Sequence, residues 1–149
     1  MTHIYQYRLT VPDHAIDVNG HVSNIEYLRW MQEAAVSHMD VQECNKATLD
    51  AGATWVVRMH HLKYLRPAFG GEKIIVLTWV SNLNRFQCLR KYRIVRSHDK
   101  TLLVKGETEW VFVDAKTGHL RSIPKDVIFK IKIVSKECES GMLGDLKIN

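Results

Sequence analysis

No run of apolar residues in this chain approaches the roughly 20 needed to cross a bilayer as a helix, so a membrane span is not expected. The opening Met-Thr-His-Ile-Tyr-Gln-Tyr-Arg alternates like a strand and lacks the apolar core of a secretory signal. Cysteine is scarce. Cys44, Cys88 and Cys138 lie far apart and form no Cys-x-x-Cys pair. An odd number of scattered thiols argues for free cysteines in a reduced compartment. Repeats, linkers and low-complexity segments are also missing. Together these absences predict a single-domain cytoplasmic protein. Its 149 residues, 46% hydrophobic and 25% charged, suit one ordinary core.

What the sequence does have is excess positive charge, a formal +5. Such a balance suits nucleic acid, anionic lipid or a phosphorylated small molecule. The densest basic stretch runs from Arg85 to Arg96, with Arg90, Lys91 and Arg93 inside it and Phe86 and Tyr92 interleaved. That stretch alternates as a strand, which divides its charges between two faces. A solvated strand at the sheet surface is therefore expected rather than a nucleic-acid partner. Its other use is as a counter-charge for phosphates.

Hydrophobic periodicity predicts the order of elements. Tyr5, Tyr7, Leu9 and Val11 alternate with Gln6, Arg8 and Thr10, as in a half-buried strand. Pro12 and Asp13 interrupt it, and a polar loop runs through Gly20. Ser23 and Glu26 have the spacing of a capping box. Leu28, Met31, Ala35 and Met39 follow at helical spacing, with Glu26, Arg29, Glu33 and Asp40 on another face. One long helix is predicted from Ser23 to about Leu49, with Gly52 as its stop. Strands are predicted over about 55–65, 73–81, 86–97 and 102–113, with turn-rich stretches between them. Ser122 and Pro124 predict a short final helix. The polar segment from Lys136 predicts a loosely held end. Short turns between neighbouring strands favour an antiparallel sheet, and a single helix must then cover one face. The class is α+β, with residues 1–135 as the domain and 136–149 as a C-terminal tail.

Between the first strand and the helix lies Asp17-Val18-Asn19-Gly20-His21-Val22-Ser23-Asn24. A carboxylate, an amide and an imidazole recur at every second position, immediately before a helix start. Asp17 can activate water or attack a carbonyl directly. Asn19 and His21 can orient the water or the group attacked. Free amides at the helix start, aided by the helix dipole, can hold a developing oxyanion. Gly20 permits close approach to the backbone. Asp, Asn and Gly are equally the residues that turn and cap a chain before any helix. The loop's chemistry alone leaves both readings open.

That loop, with Ile16 before it and Tyr27 and Trp30 after it, resembles the hotdog-fold thioesterases. It looks most like the acyl-acyl-carrier-protein branch, whose loop reads Asp-x-Asn-x-His-Val-Asn-Asn. The Asp-x-x-Gly-x-Val subset also resembles the 4-hydroxybenzoyl-CoA thioesterase type. Tyr64-Leu65-Arg66-Pro67-Ala68, Gly71-Glu72, Thr78-Trp79-Val80 and Gly106-Glu107-Thr108 with Trp110 extend the resemblance over about residues 5 to 125. It implies a hotdog fold, an antiparallel sheet wrapped around one long central helix. It implies acyl-CoA or acyl carrier protein thioesters as substrates, aliphatic acyl-CoA being preferred, and the basic stretch fits either donor. Asp17 is then the base or nucleophile, and Asn19 and His21 match the asparagine and histidine of the carrier-protein branch. Gly20 and the amides of Val22, Ser23 and Asn24 polarise the thioester carbonyl. No metal or redox cofactor is implied. A second subunit, in a homodimer or homotetramer, closes the sheet edge and an acyl tunnel that Trp30, Met31, Met39 and Trp55 are candidates to line. The plant carrier-protein enzymes have a Glu-Cys pair where this chain has Pro67-Ala68, so no role for cysteine carries over.

Three rivals stay open. A hotdog hydratase resembles Asp-x-Asn-Pro-x-His, whereas His21 here follows Asn19 by two with Gly20 between, a spacing that favours hydrolysis. Asp13, His14, Asp17 and His21 cluster locally as a metal site would, but such a site needs convergent geometry and a supporting shell. His60 and His61, as strand neighbours, point to opposite faces. A non-catalytic acyl-CoA-binding regulator is the rival from outside the enzymes, against which Asp17 argues. Glu26 and Glu33 are available as helix carboxylates, Glu26 being expected as a cap and Glu33 as a solvated residue.

Overall fold

The computed structural model describes residues 3–148. Met1 and Thr2, where the N-terminal alternation begins, and Asn149, the end of the expected tail, lie outside them. Where alternation and β-branched residues dominate, the chain extends. β1 (Tyr5–Thr10), β2 (Ala53–Tyr64), β3 (Lys73–Leu83), β4 (Gln87–Arg96) and β5 (Leu102–Asp114) form one five-stranded sheet in the order β1-β3-β4-β5-β2. Every pairing is antiparallel. The class is α+β, as expected. β1 and β2 are the edges, and the free side of β2 runs for 12 residues.

The expected single helix is two. α1 (Asn24–Val41) ends at Gln42, Glu43 adopts a left-handed backbone at φ 60°, and α2 (Cys44–Asp50) sets off anew. The inward stripe explains the break. Met31, Ala35, His38 and Met39 are buried at helical steps, but the next buried residue is Cys44, five positions on, followed by Thr48. A straight helix repeats its face every three or four residues, so only a re-phased second helix can bury both sets. The expected capping box is also absent. Ser23 is the N-cap by position but its side chain makes no cap bond, and Glu26 instead lies 3.7 Å from Arg29.

Tyr27, Trp30, Met31, Ala34 and Ala35 of α1 pack on Ile74, Val76, Tyr92, Ile94 and Val104 of the sheet. Each Ile, Val or Met among them contributes roughly 1.5–3 kcal/mol on burial. The helix comes so close that a Cβ at Gly106 would meet the Met31 methyl at 2.8 Å. The opposite face of the sheet is covered too. After the short α3 (Lys125–Ile128), the segment expected to be loosely held forms α4 (Lys136–Asp145), capped by Ser135 accepting from the Cys138 amide at 3.1 Å. Leu143 and Ile148 pack there against Ile75, Leu77 and Trp79. Trp79 Nε1 donates to Glu139 at 3.1 Å. Among the described residues no helix is long and apolar enough to cross a membrane.

Candidate functional site

The loop ahead of α1 is held by its main chain. Ile16 and Val22 pair as an antiparallel bridge, the Asp17 amide donates to the His21 carbonyl at 3.0 Å, and the Gly20 amide donates to the Asp17 carbonyl at 3.0 Å. Gly20 closes this turn at φ +82°, a conformation that suits a residue without Cβ. Asp17 Oδ1 accepts from the Asn19 amide at 2.8 Å, which fixes the carboxylate's direction while Asp17 stays half-exposed. Val18, Asn19 and Gly20 form an exposed tip, and the Val18 side chain is wholly in solvent.

Ala68 ties this loop to the body. Its carbonyl accepts from the Val22 amide at 2.9 Å, and its amide donates to the Tyr27 hydroxyl at 2.9 Å. Tyr27 in turn lies edge-on to Trp30 and against Tyr64, with centroids 5.4 and 5.7 Å away. The clamp changes one expectation. The Val22 amide is engaged by Ala68 and the Ser23 amide by the Ala15 carbonyl at 2.9 Å. Of the three amides expected to polarise a carbonyl, that of Asn24, the first in the helix, is the one without a recorded acceptor among the described residues.

Beside the clamp, His21, Val22, Asn24 and Tyr27 face Tyr64, Arg66 and Pro67 across a groove of about 210 Å³. The His21 ring lies edge-on to Phe69 at 6.4 Å. Asp17, Asn19, Gly20 and Ser23 are not in the wall of that groove. Tyr64 and Arg66, which are, belong to the Tyr-Leu-Arg-Pro-Ala segment whose resemblance could have marked them.

A second cavity, about 370 Å³, lies between α1, α2 and the sheet, with Met39, Thr48, Trp55, Arg90 and Trp110 in its wall. Of the four residues named as candidates to line a tunnel or else as core, Met39 and Trp55 are in the wall of this cavity, whereas Trp30 and Met31 are core. Within this region His38 is 5% exposed, stacks on Tyr5 at 5.0 Å, and accepts at Nδ1 from Arg90 Nη1 at 2.9 Å. Burial first, then the Arg90 charge, with His3 contributing, hold His38 down to about 3, so its ring is neutral at physiological pH.

The basic stretch is not the solvated strand expected of it. Arg90 is buried, Lys91 and Arg93 reach Glu139 on α4 at 3.6 and 3.9 Å, and Arg96 pairs with Glu72 at 2.6 Å and Asp99 at 3.2 Å. Lys91 and Arg93 thus meet the helix that sequence periodicity did not disclose, while Arg85 stays exposed. Cys44 and Cys88 are free and buried, and burial pushes both thiols up to about 11, so neither is a thiolate. Among the described residues no three His, Cys, Asp or Glu side chains gather as metal ligands would.

Known proteins give these features a setting. A chloroplastic acyl-[acyl-carrier-protein] hydrolase of Cuphea viscosissima is 30% identical over 73 residues, 49% of this chain but 18% of that protein's length. A 1,4-dihydroxy-2-naphthoyl-CoA thioesterase from Synechocystis has the same fold, with a TM-score of 0.78 at 17% identity, over 86% of this chain and 95% of that one. A 12:0-ACP thioesterase from Umbellularia californica matches with a TM-score of 0.77 at 17% identity, over 87% of this chain and 53% of that one. The family model of the thioesterase-like superfamily matches residues 11–131, taking in the Asp17 loop, both cavity-lining helices and strands β2 to β5. This chain belongs to the thioesterase-like superfamily.

Proposed function

We propose that the protein hydrolyses acyl-CoA thioesters to a free acid and a thiol, with Asp17 as the catalytic carboxylate. The observation that carries this reading is the fixed Asp17 side chain in the loop ahead of α1, with one oxygen bound by the Asn19 amide and the loop clamped to Ala68. Asp17 takes the proton of the attacking water or adds to the carbonyl itself, and either route ends in acid and thiol. The Asn24 amide, at the positive end of the helix dipole, stabilises the oxyanion that develops. His21 in the groove wall flanks the carbonyl, the Asn19 amide holds the Asp17 carboxylate, and Arg66 in the same wall offers a counter-charge to the phosphates of the thiol. The similarity to the Cuphea hydrolase supports a second donor, acyl carrier protein, whose thioester presents the same reacting bond.

The working unit in this proposal is a homodimer joined along β2. That edge exposes Val56, Met59 and Tyr64 beside its unpaired main chain, which is a surface that invites a further strand. Thiol release from a panel of acyl-CoAs, wild type against Asp17→Asn, tests the catalytic reading. Loss of the carboxylate's basicity at constant size is expected to lower turnover by at least about 100-fold. Retained activity in the variant would remove Asp17 from the mechanism, and tight binding without cleavage by the wild type would favour an acyl-binding regulator. A monomeric mass at micromolar concentration with full activity would refute the β2 dimer.

A further inference from the structure

Arg90 stands on the α1-facing side of the sheet with 1% of its surface exposed. Nη1 donates to His38 Nδ1 and, at 3.1 Å, to the Thr78 hydroxyl. Nη2 is sealed from solvent and has no hydrogen-bond partner. No carboxylate pairs with this guanidinium among the described residues, although other arginines of the chain do have acidic partners. A buried cation without an anion is costly, and an apolar residue of similar volume would serve the sheet as well. Left without an anion, it is suited to a group that arrives from outside.

The surroundings say what kind of group. Arg90 is part of the wall of the 370 Å³ cavity, whose other faces include the apolar Ala35, Met39 and Trp55. Trp110 is also in that wall, its indole N–H interacting with the Tyr92 hydroxyl. An apolar chamber with one unanswered cationic donor fits a ligand that is mostly hydrocarbon and bears anionic oxygen at one end. Its position fits the dimer as well. The Tyr64 end of β2 lies at the start of α1, where the Tyr64 hydroxyl donates to the Asn24 carbonyl at 3.2 Å. The Trp55 end lies at α2, where Trp55 Nε1 donates to Thr48 at 3.1 Å. Antiparallel pairing of two β2 strands brings the loop end of one copy beside the cavity end of the other.

We propose that this cavity is the acyl pocket and that it selects acyl groups ending in a carboxylate, which the Arg90 guanidinium binds. The inference rests on the thioesterase reading and names its substrate class. Arg90 is thus the residue that determines specificity, remote from the reacting bond.

The test compares hexanoyl-CoA with adipoyl-CoA in thiol release by the wild type, and free hexanoate with free adipate in quenching of tryptophan fluorescence, Trp55 and Trp110 being in the pocket wall. At least about a tenfold preference for the dicarboxylic member is expected in kcat/KM and in affinity. Arg90→Met is expected to abolish that preference in kcat/KM and in affinity. If both thioesters are cleaved equally and neither acid is preferred, the pocket assignment fails while hydrolysis stands. If neither is cleaved but adipate is still preferred, hydrolysis fails while the pocket stands. A merely structural Arg90 would give no preference in the wild type. The substrate pair alone decides the matter should that variant not fold.

Discussion

His38 makes stability depend on pH in a way that can be worked out before measurement. Its ring is buried against Tyr5 and Arg90, and it is held down to about 3 from an ordinary 6.5. The unfolded chain therefore binds a proton below pH 6.5 that the folded chain refuses until about pH 3. Stability contributed by the neutral ring is complete above 6.5 and is lost as the pH falls through that window. One proton of difference gives a slope of up to about 1.4 kcal/mol per pH unit, so the loss between pH 6.5 and 4.5 is ~2–3 kcal/mol. That is a large share of the 5–15 kcal/mol typical of a domain. His38→Gln keeps an acceptor for Arg90 and removes the titration. At pH 7 the variant is expected to be less stable, because the ring's packing on Tyr5 is lost. Urea denaturation at pH 7, 5.5 and 4.5 is then expected to show wild type losing its advantage as the pH falls. A gap between the two proteins that stays constant with pH would refute the reasoning.

Two further perturbations test how the loop and the tail are held. Tyr27→Phe deletes the acceptor of the Ala68 amide and leaves a buried N–H unanswered, which is expected to cost about 1–3 kcal/mol by urea denaturation. An unchanged midpoint would mean that the clamp contributes nothing. Leu143→Ala opens the contact between α4 and the outer face of the sheet and is expected to cost about 2–5 kcal/mol, whereas a loosely held tail would leave the midpoint where it was.

Most of the strand positions along the chain were legible because each strand carries its own period. The alternation around Thr108 and Trp110 and the punctuation by Pro67, Gly70 and Gly71 are local facts that survive folding. The missing outer layer had a signal too. Ile74 to Val80 is buried at every position, and such a run, apolar but for Thr78, marks a strand covered on both faces. That run implied a cover for the outer face, and the polar composition of the tail concealed it, since α4 presents few apolar side chains beyond Met142 and Leu143. The break after Val41 depended on a phase jump from Met39 to Cys44, which a pattern of four matching residues overran. The roles proposed for Asp17 and His21 come from a motif, but the engagement of the Val22 and Ser23 amides depends on Ala68 and Ala15, and no local pattern encodes that. Arg90 was visible only as one charge in a basic stretch. Its isolation from any carboxylate is a property of three dimensions.

The Ala68 clamp has a consequence for how this loop can change. The contacts that fix it are largely peptide groups, from Ala15, Val22 and Ala68, joined by one tyrosine hydroxyl. Peptide groups are the same whatever side chain they carry, so the exposed Val18 is free to be rewritten while the geometry of its frame persists. The frame itself tolerates little: proline at 19, 22 or 68 would remove a donor, and Gly20 is needed for its turn. A randomised library confined to position 18 would therefore sample new chemistry on an unchanged backbone.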